Sequence, residues 1–466
     1  MSGRLTRRTF LATTGIAAVG TAVAGCGGGG EQSQAQKPSG PAPKETFSEP
    51  RRKLSGNLRL LMWSHFIPAH DEWFDSFAKK WGEQVGVNVT VDHVNVEDIP
   101  ARISSEISAG RGHDLLQYTA PLGQFEPSVL DLTDLVKEAN NRFGDQLELC
   151  QKSSFNPNTN GYYAYAPFWA PDPGDYRKSI WRQVGLPNGP TTWDELLRGG
   201  TEIKKSQGIQ MGLGMSQEVD SNMAARALLW SYGASIQDEN EKVTINSDAT
   251  IATVEYMVKL FKGAMTNEVF SWNPASNNQG LIAGQFSYIL NSISAFRTAQ
   301  EANPEVADDI FFVPALEGPE GGLAAQHVMY NWIVPKGAAN PDAAQEFLLH
   351  YTANAPAVAY HSQLYDFPGW PDLVPQLDGW LAKDPFGSKP ANKLAFLKDA
   401  VDWSVNIGYP GPANPAIGEI FGTYVIPNMY ARAARGERNP QQAVAEADRE
   451  INGIFEKWRG EGLVGG

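Results

Sequence analysis

Between residues 58 and 118, short apolar strands alternate with amphipathic helices, and this rhythm restricts the fold more than any other feature of the chain. Strands are predicted at Leu58–Trp63, Val87–Val91 and Asp114–Tyr118, and helices at Asp71–Gly86 and Ile99–Ile107. Strands that alternate with single helices form a mostly parallel sheet with right-handed crossovers. The sequence therefore predicts an α/β fold.

The chain is too long for one core. About 410 residues follow the N-terminal segments, which is a comfortable length for two domains. Thirteen tryptophans are present, and such rings either fill a core or form ligand-binding surfaces. The position of each tryptophan relative to the predicted strands and turns indicates whether it packs in a core or contacts a ligand.

The N-terminus has the pattern of an export signal followed by a lipidation site. Arg7 and Arg8 precede an apolar stretch that is too short to span a membrane. Two adjacent arginines followed by Phe-Leu are typical of a twin-arginine signal. Small residues before Cys26 are typical of lipoprotein cleavage. We therefore predict a twin-arginine lipoprotein signal peptide over residues 1–25 and a lipid on Cys26.

Residues 26–53 are rich in Gly, Ser, Gln, Pro and Lys, and they predict a flexible tether. No later stretch approaches the ~18 uninterrupted apolar residues of a membrane-spanning helix. We expect the body to lie on the extracytoplasmic side of a cell membrane, anchored by the lipid on Cys26, and we expect the protein to be a monomer.

The net charge of −14 becomes −17 without residues 1–25, which contain three arginines and no acidic residue. An acidic chain argues against nucleic acid as a partner, because nucleic-acid binding requires a basic surface. If Cys26 carries lipid, Cys150 has no partner for an intramolecular disulfide.

Local signals mark several turns and helix starts. Asn160-Gly161 predicts a hairpin turn, and Thr192 with Glu195 predicts a capping box. Asn-Pro pairs at Asn340 and Asn439 predict the starts of two further helices.

Three segments, in this order, resemble the extracellular solute-binding proteins of ABC importers, and specifically the sugar-binding family that includes maltose-binding protein. Gly185–Leu196 is similar to a G-L-P…T-W-D-E-L stretch of the family. Gly280–Phe286 matches a G-x-A-A-M segment in part, with Gly-Gln-Phe in place of Ala-Met. Trp332–Lys336 followed by Asn340–Phe347 is similar to a strand and helix of the first lobe. The resemblance spans roughly residues 57–458.

The resemblance implies a two-lobed periplasmic-binding-protein-like fold, with a ligand cleft between lobes joined by hinge strands. Lobe one is expected at 54–165 plus 312–370, and lobe two at 166–311 plus 371–466. The implied function is the capture of a carbohydrate and its delivery to the transmembrane subunits of an ABC permease. No cofactor is implied.

Sugars present apolar faces and a ring of hydroxyl groups, so their sites combine aromatic rings with planar polar groups. Strand ends and lobe crossings are the positions where ligands bind in such folds. The predicted aromatic contacts are Trp63, Tyr118, Trp169, Trp332 and Tyr409. The predicted hydrogen-bonding residues are His65, Gln117, Asp172 and Asn291.

Other functions remain as alternatives. The same fold would accept a polyol, an osmolyte or a glycerophosphodiester. A secreted carbohydrate-active enzyme is a further alternative, because two catalytic carboxylates need no sequence spacing. The sequence contains no G-x-S-x-G or H-E-x-x-H motif and no paired cysteines for zinc. We therefore predict a binding protein without catalytic or metal-ligating residues.

Overall fold

A computed structural model describes residues 38–466. The predicted signal peptide with Arg7 and Arg8, the lipidation site Cys26 and the first part of the tether lie outside the described residues.

The strands, in chain order, are β1 Gly56–Trp63, β2 Val87–Val94, β3 Leu115–Tyr118, β4 Phe155–Asn156, β5 Gly161–Tyr162, β6 Phe168–Ala170, β7 Gly174–Arg177, β8 Gln210–Gly212, β9 Phe286–Leu290, β10 Ile310–Val313, β11 Ala324–Ala325, β12 Val328–Met329, β13 Asn331–Ile333, β14 Phe367–Pro368 and β15 Ser404–Val405.

The α-helices are α1 Pro68–Val85, α2 Ile99–Ala109, α3 Thr133–Phe143, α4 Glu148–Lys152, α5 Lys178–Arg182, α6 Trp193–Gln207, α7 Val219–Ser231, α8 Asp248–Ala264, α9 Ser276–Ile282, α10 Ser294–Ala302, α11 Pro304–Asp309, α12 Pro341–Ala353, α13 Ala355–His361, α14 Leu377–Ala382, α15 Ala400–Trp403, α16 Pro415–Gly422, α17 Val425–Ala434 and α18 Pro440–Gly460. The described residues also form four 3-10 helices, at Gly123–Ser128, Asn267–Phe270, Pro371–Leu373 and Ala395–Asp399.

The first sheet has the strand order β13-β3-β1-β2. Strands β1, β2 and β3 are parallel, and β13 adds an antiparallel edge. Leu58 and Leu60–Trp63 of β1 are fully buried, as expected for a strand covered on both faces. The buried stripe of α1, which includes Phe74 and Trp81, supplies one of the covering layers. The predicted βαβαβ unit is confirmed.

The second sheet has the order β10-β7-β9-β8. Strand β10 at Ile310–Val313 pairs with β7, so the chain is still within this sheet at Val313. The lobe limits 54–165 plus 312–370 and 166–311 plus 371–466 remain a prediction.

A third sheet, of order β12-β6-β14, is made of three antiparallel strands from distant parts of the chain. The chain passes from the first sheet region to the second through β6 and returns through β12. We call these three strands the hinge sheet.

Predicted helix starts are largely confirmed. Asn340 and Asn439 cap α12 and α18 with their side chains, and the Asn439 cap is a full capping box. At α6, the side chain of Thr192 accepts from the backbone of Glu195, but the Glu195 carboxylate accepts from Thr191. The capping box predicted there is therefore only half formed.

Asn160 adopts a left-handed conformation with φ 54 in the turn between β4 and β5, as its place before Gly161 predicts. None of the helices within residues 38–466 has the length and apolar character that a membrane crossing requires. Cys150 is buried, and this burial raises the pKa of its thiol, so the reactive thiolate form is disfavoured.

Candidate functional site

Polar residues collect at one end of the hinge sheet. Asp172 follows β6, His327 precedes β12 and Asp366 precedes β14. Because β12 and β14 run antiparallel to β6, residues that follow β6 and residues that precede β12 or β14 lie at the same end. The backbone N–H of His327 donates to the carbonyl of Ala170 at 2.8 Å, which continues this pairing.

The first lobe contributes the carboxyl end of β1 to the same region. The Trp63 ring stacks on His65 at a centroid distance of 4.8 Å and tilts against Phe66 at 4.9 Å. Phe66 in turn lies 6.5 Å from both His327 and Tyr365. We call the combined set the hinge cluster: Trp63, His65, Phe66, Asp172, Asp220, His327, Tyr365 and Asp366.

The second lobe contributes Asp220, in the first turn of α7. His327 links the two sides, because its Nδ1 lies 2.8 Å from Asp172 Oδ1 and its Nε2 lies 3.7 Å from Asp220 Oδ1. The other oxygen of Asp220 accepts from Asn277 at 2.6 Å. The hinge cluster thus joins side chains of the first sheet, the hinge sheet and α7.

Burial controls the protonation of these groups. Burial raises the pKa of Asp172, and His327 offsets this only in part. Burial and then Glu218 raise the pKa of Asp220 well above its ordinary value. For His327, burial lowers the pKa, but the carboxylates of Asp172 and Asp220 raise it more, so the net shift is upward.

Many polar atoms around the hinge cluster are buried and make no hydrogen bond within residues 38–466. About nine in ten buried polar groups in proteins are paired, and an unpaired one costs roughly 1–3 kcal/mol. Such a concentration between lobes indicates groups that a bound molecule pairs. The atoms are Trp63 Nε1, Thr119 Oγ1, Asp172 Oδ2, Ser292 Oγ, Gln326 Nε2 and Oε1, His327 Nε2, Tyr365 OH and Asp366 Oδ2.

Three of the predicted ligand-binding residues belong to the hinge cluster: Trp63, His65 and Asp172. The nitrogens of His65 are both engaged, Nδ1 with the backbone N–H of Ile67 at 2.8 Å and Nε2 with the hydroxyl of Tyr330 at 2.7 Å. His65 therefore holds Trp63 in place by stacking and has little capacity left for a ligand.

Gln117 and Tyr118 lie at the end of β3, beside the hinge sheet. The carbonyl of the next residue, Thr119, accepts from Met329 of β12 at 2.9 Å. Both amide atoms of Gln117 are buried and make no hydrogen bond with the described part of the chain. Burial and then Tyr424 of the second lobe raise the pKa of Tyr118, which places it where the lobes meet.

Trp169 lies away from the hinge cluster. Its neighbour Phe168 contacts Tyr330 and Tyr351, and adjacent residues of a strand face opposite sides. The Trp169 ring instead lies 5.6 Å from Phe367 and lines a cavity of about 380 Å³. This cavity is bounded on its other side by residues 371–401. A ligand-binding role for Trp169 stays a prediction.

The remaining predicted residues are also outside the hinge cluster. Trp332 packs in the first-lobe core, 6.4 Å from Phe74 and 6.3 Å from Tyr351. The amide nitrogen of Asn291 donates to groups at the starts of α9 and α10. Tyr409 is half-buried against Trp230 in the second lobe. Their ligand-binding roles are not supported by contact with the hinge cluster, and they stay predictions.

Five residues of the hinge cluster are not among the predicted ligand-binding residues: Phe66, Asp220, His327, Tyr365 and Asp366. A usable signal exists for the last three, since Gln326-His327 and Tyr365-Asp366 are polar pairs placed directly before apolar strand residues. Nothing local marks Asp220, which reaches the hinge through the packing of α7.

One group of side chains has the composition of a metal site. Ligand atoms of His65, His70 and Asp366 lie within 4.8 Å of one another, and all three residues are buried. The N–H of Ile67 donates to His65 Nδ1, so a neutral His65 ring carries its proton on Nε2, the nitrogen that faces Asp366. A metal ligand needs that nitrogen free. The geometry therefore fits a hydrogen-bonded cluster rather than a metal centre.

Two α/β units joined by a hinge sheet, with an interlobe cluster of polar and aromatic residues, define a two-lobed binding protein. The sequence pattern of the family described as bacterial extracellular solute-binding protein matches residues 68–357, more than half of the chain. The chain belongs to this family, which is one of binding proteins. No curated protein sequence matches the chain.

Solved structures of low sequence identity have the same fold. Maltose-bound MalE3 of T. maritima has a TM-score of 0.71 at 17% identity, over 86% of this chain and 100% of that chain. A sugar transporter from Arthrobacter chlorophenolicus with bound laminaribiose has a TM-score of 0.71 at 17% identity, over 86% and 99%. An Agrobacterium radiobacter solute-binding protein in complex with ribitol has a TM-score of 0.68 at 17% identity, over 87% and 100%. The predicted two-lobed fold is confirmed.

Proposed function

We propose that the protein captures a carbohydrate between its lobes, at the hinge cluster, and delivers it to the permease of an ABC importer. The observation that carries this proposal is the concentration of unpaired, buried polar atoms beside aromatic rings where the two lobes meet. Hydroxyl groups pair with such atoms, and the apolar face of a sugar ring packs on Trp63 or Phe66. Three of the fold's relatives are described with a sugar or sugar alcohol bound.

The proposal includes the location of the protein. Export through the twin arginines Arg7 and Arg8, followed by lipid attachment at Cys26, would hold the body at the outer face of the membrane. The permease subunits lie in that membrane, so an anchored binding protein stays near its partner.

A thermal-shift screen of neutral, acetylated and amino monosaccharides and disaccharides, together with polyols such as ribitol, tests the binding activity. A ligand at 100 times its Kd stabilises the folded state by roughly 2.7 kcal/mol, so a true ligand raises the melting temperature clearly. If polyols shift the melting temperature and saccharides do not, the site is a polyol site. If neither class does, the proposed function is wrong.

A matched pair of variants places the site. The hydroxyl of Tyr365 is buried without a hydrogen-bond partner among residues 38–466, whereas that of Tyr165 pairs with Thr352 at 2.8 Å in the first-lobe core. Tyr365→Phe should weaken saccharide binding by roughly tenfold without lowering the melting temperature of the unliganded protein. Tyr165→Phe should lower the melting temperature of the unliganded protein and leave the saccharide affinity unchanged. Equal affinity in wild type and Tyr365→Phe would move the site away from the hinge cluster.

A further inference from the structure

The hinge cluster is unusually acidic for a buried region. Asp172 and Asp366 are completely buried, and Asp220 is 8% exposed. All three carboxyl groups, after the effect of burial, raise the pKa of Tyr365, so they lie within electrostatic reach of one phenol. Asp175 is also completely buried close to Asp172, and neither of its oxygens has a hydrogen bond among the described residues.

The ion pairs that these carboxyl groups form within residues 38–466 involve histidines alone. Asp172 and Asp220 pair with His327, and Asp366 lies near His65 and His70. The single arginine of α7, Arg226, donates instead to the carbonyl of Ile407 and to Asn222. The acidic charge therefore has no lysine or arginine as counter-ion in the part of the chain that the structure describes.

A neutral sugar would not balance this charge. Its hydroxyl groups donate hydrogen bonds but bring no charge, and burial already raises the pKa of Asp172 and Asp220 because their ionised forms are costly without a nearby cation. An ammonium group donates up to three hydrogen bonds and brings a positive charge that favours the ionised form of these carboxyl groups. The faces of Trp63, Phe66 and Tyr365 add to the preference, since aromatic faces attract cations.

We propose that the carbohydrate bound between the lobes is an amino sugar, whose ammonium group is held by Asp172 and the neighbouring carboxylates of the hinge cluster. This inference rests on the proposed function, because it specifies the ligand of the same site. Phosphorylated and carboxylated sugars are disfavoured by the same charges.

The test is isothermal titration of wild-type protein with matched saccharides. Three hexose configurations are compared: gluco, galacto and manno. Each is used in three forms, which are the neutral sugar, the N-acetylated sugar and the 2-amino sugar. The three gluco forms are also used as β-1,4-linked disaccharides. In the series that binds, the amino form should bind roughly 10- to 100-fold more tightly than the other two, as expected for a charge-assisted hydrogen bond.

The outcomes separate the two proposals. Neutral or N-acetylated sugars that bind as tightly as the amino form overturn the amino-sugar inference and leave the proposed function standing. No binding of any saccharide overturns the proposed function itself. Binding confined to amines that are not sugars, such as putrescine or choline, overturns both.

Variants identify the carboxylate. Asp172→Asn keeps the size of the side chain and should remove most of the preference for the amino form. Asp378→Asn, a matched change at an exposed aspartate of α14, should keep it. An unchanged preference in Asp172→Asn contradicts the assignment. The comparison among sugars in the wild type stands even if Asp172→Asn fails to fold.

Discussion

The two lobes touch directly at Gly123, and this contact gives a way to perturb closure without touching the ligand. Gly123 begins a 3-10 helix of the first lobe and lies against the N-terminus of α16, which packs with α17 and α18 in the second lobe. A Cβ atom at position 123 would lie 3.0 Å from the backbone of Asn414 and 3.0 Å from that of Pro415. Backbone atoms have little freedom to move away, so Gly123→Ala should strain the closed arrangement.

The size of the effect follows from overpacking. Inserting one methyl group into a tight contact costs roughly 1–3 kcal/mol. If ligand binds the closed form, a strain present only in that form lowers the affinity by roughly 5- to 150-fold. The melting temperature without ligand should change little, because an open form carries no strain.

Titration calorimetry and solution scattering measure these effects. Gly422→Ala is the matched control. Gly422 is the last residue of α16, and a Cβ atom there would meet nothing within 4 Å. The control should keep wild-type affinity. Wild-type affinity in Gly123→Ala, with an unchanged radius of gyration, would show that ligand binding does not close this contact. A large loss of stability without ligand would show that the contact is permanent.

Three further predictions concern single side chains. Trp63→Ala should lower saccharide affinity by roughly 2–4 kcal/mol in calorimetry, whereas Trp332→Ala, in the first-lobe core, should lower the unfolding free energy by about 3–5 kcal/mol; interchanged results would contradict the placement of the two rings. Asp384 forms a buried ion pair with Arg297, 2.7 Å between Oδ2 and Nη1. Burial raises the pKa of Asp384 but Arg297 lowers it more, so its stabilisation is present at neutral pH and is lost as the pH falls through this depressed pKa. Denaturation of Asp384→Asn should show a loss of about 3–5 kcal/mol at pH 7 that shrinks in acid; a pH-independent loss would contradict it. Cys26→Ala should move the protein from the membrane fraction to the soluble fraction of cells, and retention at the membrane would argue against the lipid anchor.

The elements that the sequence predicted correctly are those with local causes. The stripe of Trp73, Phe74, Phe77 and Trp81 faces inward because helical periodicity alone puts these residues on one side of α1. The caps at Asn340 and Asn439 form because a cap requires only the next three residues. Such features depend on no distant part of the chain.

The hinge cluster was predicted only in part, because it is assembled from five separate segments of the chain. Trp63 and Asp172 were recognisable as polar or aromatic residues at a strand end and at a crossing. His327 and Asp366 become neighbours of Asp172 only through the antiparallel pairing of β12 and β14 with β6. The direction of the Trp169 side chain likewise depends on which face of β6 is covered, and its strand partners, Met329 and Phe367, lie far along the chain.

The pairing of β13 with β3 has a consequence for the synthesis of the chain. Asn331 lies opposite Tyr118, so the edge of the first sheet is completed by a strand made more than 200 residues after its partner. β14 completes the hinge sheet later still, at Phe367–Pro368. Neither lobe is therefore a continuous stretch that folds as it leaves the ribosome, and the native topology is reached only when most of the chain has been made. Long-range pairing of this kind folds slowly, so a fragment that ends before β13 should expose an unpaired strand edge and aggregate.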